Sequence, residues 1–353
     1  MAGTQTGCFL VRGEYGAGTA RGVWVEVLRG DIVESRHRVH VAVVDAGGRL
    51  RASAGEPHLV TFTRSAIKAL QALPLVEDGA ADRYGISGAE LALCCASHGG
   101  ESFHVEAAQS ILDRIGETED VLACGPHAPF HKPSARALAE AGLEPRRLHN
   151  NCSGKHAGML ALARLHDWPT VGYHLPDHPV QRRMLAEVER WAEVPRAEIL
   201  TGMDGCGVVT FAVPLSALAG VFARLGAAAR HGEQGPKRLL AAMHRHPEYL
   251  AGTDRLCTDI VRATGGRVVA KVGAEGVYAA GVPEEGIGIA LKVEDGARRA
   301  AEPALLGVLR SLELISAEEH AALAWYAEPE QTNTLSETVG RIRSVAELEV
   351  SGG

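Results

Sequence analysis

A chain of 353 residues, 46% hydrophobic and 22% charged, carries enough apolar mass to bury a sizeable core without disulfide staples. Its net charge of -7, with no long basic stretch, argues against nucleic acid as a partner. Seven cysteines, at 8, 94, 95, 124, 152, 206 and 257, follow no disulfide framework, and residues 1–16 lack the basic head and apolar run of a secretory signal, so reduced thiols in a cytoplasmic setting are expected.

In chain order, residues 22–52 read as strands. "GVWVEVLRG" and "HRVHVAVVDAGGRL" are rich in β-branched residues, and "DAGG" signals a hairpin turn. From 65 to about 200 the apolar spacing is mainly helical, as in "SAIKALQAL", "SGAELALCCASH", "GKHAGMLALARLHDW" and "HPVQRRMLAEVERWAEV". Ser87, with Glu90 three residues on, matches a capping box. The stretch 205–223 is uncharged and approaches a membrane span in length, but Pro214 near its middle divides it into a buried strand, "VVTFAV", and a helix, "LSALAGVFARL". Two helical stretches follow, "PKRLLAAMHRHPEYL" and "TDRLCTDIVRATGG". Residues 266–296 read as short strands with glycine turns, and "ARRAAEPALLGVLRSLEL" as a closing helix. The polar tail after Thr332 is expected to be loosely held.

Strands near both ends and helices between them predict an α/β (α+β) chain: one mixed sheet built from both termini, with a mainly helical region inserted. The expected parts are 1–62 with 207–353, and 63–206, with the active cleft between them. No domain linker or repeat interrupts this plan.

Chemistry-bearing residues punctuate it. Ser65 and Lys68 lie at i and i+3 on one predicted helix, so the amine can reach the hydroxyl. A serine needs a base to act as a nucleophile, and a lysine serves only when burial or a neighbouring cation holds it neutral. Such a pair alone is usually a capping serine with a surface lysine. Further on, Ser97 ends an apolar helix and precedes Gly99 and Gly100, which permit close backbone approach. "HNNCSGKHAGM" and "TGMDGCGVV" place Cys152, Lys155, His156, Asp204 and Cys206 in polar, glycine-rich loops, unlike buried structural thiols. Cys152 and Cys206 suit a soft metal such as zinc, with Lys155 or His156 as a third ligand and one position left open. Lys271 ends a strand and is followed by Val-Gly, in the order in which Ser-x-x-Lys acyl-transfer enzymes carry Lys-Thr-Gly.

Together, "FTRSAIKALQALPLVEDGAADRYG", "ASHGGE", "HNNCSGKHAGML", "TGMDGCGVVTFAVPL" and "VVAKVGAEGVYA" resemble the Rhizobium-type (class 3) L-asparaginases, the asparaginase II family, over about residues 8–325. The resemblance implies a fold like serine β-lactamases and glutaminases, a homodimer, and L-asparagine as substrate. It implies Ser65 as nucleophile with Lys68 in one Ser-Lys tandem, Ser97 with Lys271 in a second, and zinc on Cys152, Lys155 and Cys206. It also implies that Arg64 and Asp204 hold the substrate's charged groups. Glutaminase or β-lactamase-like hydrolysis, and a metal-binding sensor without turnover, are the competing readings.

Overall fold

The computed structural model describes residues 22–350. The reading of the N-terminal stretch, Cys8 included, lies outside them. Two antiparallel sheets and a set of helices make up the described residues. The strands are β1 (Val23–Arg29), β2 (Ile32–Asp45), β3 (Leu50–Ala54), β4 (Val60–Phe62), β5 (Leu200–Met203), β6 (Val209–Pro214), β7 (Val269–Val272), β8 (Val277–Val282), β9 (Ile287–Val293), β10 (Glu330–Thr332), β11 (Thr338–Ala346) and β12 (Glu349–Val350).

The larger sheet runs β10-β11-β1-β2-β9-β8-β7, with β3 and β12 paired beside β2. Strands from both ends of the chain therefore interleave. The long β2 explains how: its first half alternates buried and exposed residues, whereas from Val39 to Val44 it is buried continuously. That second half has helices on both faces, so both sets of side chains are apolar apart from His40, which accepts from the Glu56 amide at 3.0 Å. The helix Leu215–Arg230 lies against β9 at Gly288, and the helix Arg298–Ser311 meets β11 where Gly307 faces Ser344. The register places these two contacts on opposite faces.

At Gly288 the backbones nearly touch: a Cβ there would stand 1.9 Å from the Ala219 carbonyl oxygen. Backbone cannot yield as a flexible side chain can, so Gly288→Ala is expected to cost about 3 kcal/mol or more. Chemical denaturation of the two proteins measures it.

The smaller sheet, β4-β6-β5, joins the end of the N-terminal strands to the chain that returns from the helical region. Between β4 and β5 the chain is helical, as expected, and the Ser87 capping box forms, with Ser87 accepting from the Glu90 amide. The uncharged stretch divides at Pro214 into β6 and the helix Leu215–Arg230. Among the described residues no helix is long and apolar enough to cross a membrane.

The tail corrects the sequence reading. Beyond Thr332 the chain is not loosely held: β11 pairs with β1 along seven residues, Val23↔Ala346 to Arg29↔Gly340. Ile342 is buried, and Arg343 donates from Nε and Nη2 to Glu26 at 3.0 and 2.8 Å. A half-buried strand needs apolar residues on one face only, so "TVGRIRSVA" passes for a polar tail when its partner is out of view.

Candidate active site

The site begins where β4 ends. Thr63 is tied to β6 twice, through its amide at 2.9 Å and its hydroxyl at 3.0 Å, both to the Phe211 carbonyl. Arg64 then takes a left-handed conformation, φ 48°, that non-glycine residues adopt at a cost of about 1 kcal/mol. Its guanidinium Nε donates to Asp204 Oδ1 at 2.9 Å, which holds the turn. A short 3₁₀ turn, Arg64–Ile67, leads into the helix Lys68–Glu77. Ser65 is half-buried on the turn, and Lys68 is fully inside.

A second loop approaches from the helix Gly88–Cys94. The Ser97 amide donates to the Leu250 carbonyl at 3.3 Å and the His98 amide to the Asn151 carbonyl at 3.2 Å, pinning the loop from both sides. Gly100, φ 75°, lies where a Cβ would press on Pro129 and the His149 carbonyl at 3.1 Å, so glycine is required there.

Three residues far apart in sequence meet at one hydroxyl. Lys68 Nζ donates to Ser97 Oγ at 3.0 Å, to the Ala96 carbonyl at 2.5 Å and to Cys152 Sγ at 3.1 Å. Lys271 Nζ, from the edge strand β7, donates to Ser97 Oγ at 2.9 Å and to the Val272 carbonyl at 3.0 Å. Both amines are buried. Three acceptors around Lys68 match what an ammonium can serve. Burial, and then the charge of Lys68, push the Lys271 amine down to about 7.

The i, i+3 spacing leads one to expect the Lys68 amine on Ser65. In the structure it turns instead to Ser97, and among the described residues no hydrogen bond joins Ser65 to either lysine. The arrangement is one Lys68–Ser97–Lys271 cluster, with Ser65 on the wall of the same cleft. That cleft, of about 320 Å³, is lined also by Asn151, Arg255, Glu275, Tyr278 and Glu302. Arg64 and Asp204 pair with each other and are not among its lining residues.

The residues implied as metal ligands also converge. Cys152 caps the helix Ser153–Leu165, whose first turn carries Lys155 and His156. Lys155 Nζ lies 3.0 Å from Cys206 Sγ, and the Cys152 thiol donates to Asn151 Oδ1 at 3.0 Å. The neighbouring Cys152 thiol, and then the charge of Lys155, drive the Cys206 thiol below its ordinary value, while the Cys206 thiolate and burial push Cys152 up. Buried beside these sulfurs, Lys155 is raised. His156 bonds Tyr173 Oη at 2.5 Å through Nδ1, its buried Nε2 has no partner among the described residues, and burial pushes the ring down to about 4. Among the described residues no group of three His, Cys, Asp or Glu side chains is placed to hold a metal. The donor set is two sulfurs and an amine, and it fits a soft divalent ion once Lys155 gives up its proton.

Sequence reasoning missed Arg255, Glu302 and Tyr278. They stand alone in ordinary helical and strand patterns, and no spacing marks them.

A family model described as L-asparaginase II matches residues 25–344, nearly the whole chain. No curated protein matches the chain. Among solved structures, a crystal structure of Mglu in its native form in 4.3M NaCl is 16% identical, with 78% of this chain and 61% of that chain covered and a TM-score of 0.35. A second Mglu crystal structure is 16% identical, with 78% and 67% covered and a TM-score of 0.33. The chain thus spans less than two thirds of the length of the first.

Proposed function

Because the chain belongs to the L-asparaginase II family, we propose that it hydrolyses the side-chain amide of L-asparagine to L-aspartate and ammonia through a serine ester. The supporting observation is the convergence of two buried lysine amines on Ser97 in a cleft that Ser65 also lines.

In this reading the Ser65 oxygen attacks the amide carbon. Its proton passes to the neutral Lys271 amine by way of the Ser97 hydroxyl. Burial, and then the charge of Lys68, keep Lys271 uncharged. Backbone amides near Ser65 and at the end of β7 take the developing oxyanion. The proton returns to the leaving nitrogen and ammonia departs. Water then opens the ester, releasing the carboxylate and restoring the serine. The Arg64–Asp204 pair holds the strained turn that presents Ser65.

A second reading makes Ser97 the nucleophile, because both amines bond it directly. Trapping the ester with an electrophilic asparagine analogue and mapping the labelled peptide separates the two. Ammonia release from L-asparagine, with little from L-glutamine and no hydrolysis of a chromogenic β-lactam, is the expected result. No ammonia from any amide would overturn the proposal in favour of a binding protein.

Cys152, Cys206 and a deprotonated Lys155 would hold zinc, which would supply a Lewis-acidic contact that orients the substrate. Chelation is expected to raise KM more than it lowers kcat. Cys206→Ser is expected to lose bound zinc, read by elemental analysis of the purified protein.

A further inference from the structure

We infer that Arg255 and Glu302 hold the charged amino-acid end of the substrate, Arg255 taking a carboxylate and Glu302 an ammonium. This assignment rests on the amidohydrolase reading above and names its substrate class: an α-amino acid amide with both α-groups free.

Arg255 immediately precedes the helix Leu256–Ala263, and Glu302 lies in the helix Arg298–Ser311. Both line the cleft shared by Ser65 and Ser97. Arg255 Nη1 is buried without a hydrogen-bond partner, and the guanidinium makes no ion pair among the described residues. Glu302 likewise has no side-chain hydrogen bond or ion pair among them. The two are near enough to feel each other's charge, yet more than 4 Å apart. Both side chains are half-buried, and one guanidinium nitrogen, Arg255 Nη1, is cut off from water without a partner among the described residues; an unpaired buried polar atom is expensive, and closing the two side chains on each other would have relieved it. Arg64 and Asp204 are closed in that way, at 2.9 Å. The open pair leaves a gap for a ligand that carries both charges a few ångströms apart. A zwitterionic amino acid satisfies both residues at once. A β-lactam or a simple acyl amide leaves at least one unpaired, so the same geometry rejects it. Burial pushes the Glu302 carboxyl up, with Arg255 as the first opposing charge, so a bound ammonium would also favour its ionised form.

The test uses three amides. L-asparagine carries both charges, aspartic acid diamide lacks the carboxylate, and succinamate lacks the ammonium. Arg255→Gln is expected to raise KM for L-asparagine about 100-fold and to leave KM for the diamide unchanged, since one charge-assisted contact contributes about 3 kcal/mol. Glu302→Gln should show the same pattern with succinamate as the indifferent substrate. Arg255→Lys, which keeps the charge, should recover part of the loss and guards against misfolding of the glutamine variant. Calorimetric titration of wild type and Arg255→Gln with L-aspartate needs no turnover. Arg255-dependent binding of L-aspartate without ammonia release would sustain this assignment and sink the catalytic one. Equal losses on asparagine and diamide would overturn the assignment. So would loss of discrimination in Arg64→Gln but not in Arg255→Gln, or wild type that binds no L-aspartate.

Discussion

Ser65→Ala is expected to lower ammonia release from L-asparagine by about 10⁴-fold while the protein unfolds at an unchanged denaturant midpoint. The unchanged stability follows from the site itself. Ser65 is half-buried and makes no side-chain hydrogen bond among the described residues, so removing its hydroxyl leaves no buried group without a partner. Ser97→Ala differs on both counts. Ser97 accepts from Lys68 and Lys271 at 3.0 and 2.9 Å, and two buried amines would lose their common acceptor. That variant should lose activity and about 2 kcal/mol of stability together. Steady-state ammonia release and denaturant unfolding on the same samples provide the measurement. Substantial turnover in Ser65→Ala would transfer the nucleophile to Ser97.

Lys271→Met is expected to abolish turnover and to make the protein more stable near pH 6. A buried lysine held neutral only above about 7 is costly when protonated. The sign follows from proton counting. The folded value is about 7 and the ordinary value 10.5, so between them the unfolded chain binds more protons and wild-type stability rises with pH. Below that window the full cost is present, on the order of 5 kcal/mol; above it the cost vanishes. Methionine has similar volume and no charge. The gain from Lys271→Met should therefore be largest at and below pH 7 and fade as pH climbs toward 10.5. The same lysine sets the acid limb of activity: kcat/KM in wild type should fall as pH drops through about 7, where the proposed base becomes charged. A pH series of unfolding curves and of initial rates examines both. A Lys271→Met protein less stable than wild type at pH 6 would show that the amine is stabilised by its bonds to Ser97 and Val272 more than it is penalised by burial.

Some features were legible from short stretches because their causes are short-range. The Ser87 capping box needs only residues 87–90, and the division at Pro214 needs only the ring that ends a strand and cannot continue a helix ladder. The glycine-rich surroundings of Cys152 and Cys206 likewise announced turns, but the expectation that these thiols differ from buried ones is corrected: both are buried. β11 was misread because its evidence is a partner some three hundred residues away: Glu26, which receives Arg343, and the apolar face of β1.

The chain's own order of residues determined which side chains stand out as candidates, Ser65, Lys68, Ser97, Cys152, Lys155, Cys206 and Lys271, and the structure brings Lys68 and Lys271 to Ser97 in a cleft that Ser65 also lines, Cys152 to Lys68, and Lys155 to Cys206. Only the tertiary structure decided the pairing. Lys68 abandons the serine one turn away because the Ser97 loop, pinned by Leu250 and Asn151, brings a hydroxyl, a carbonyl and a thiol within reach of its amine at once. Helical spacing states where a side chain starts, whereas a buried amine goes where the most acceptors are. For the same reason Arg255 and Glu302 were invisible until the fold set them facing one cavity with no side-chain partners among the described residues.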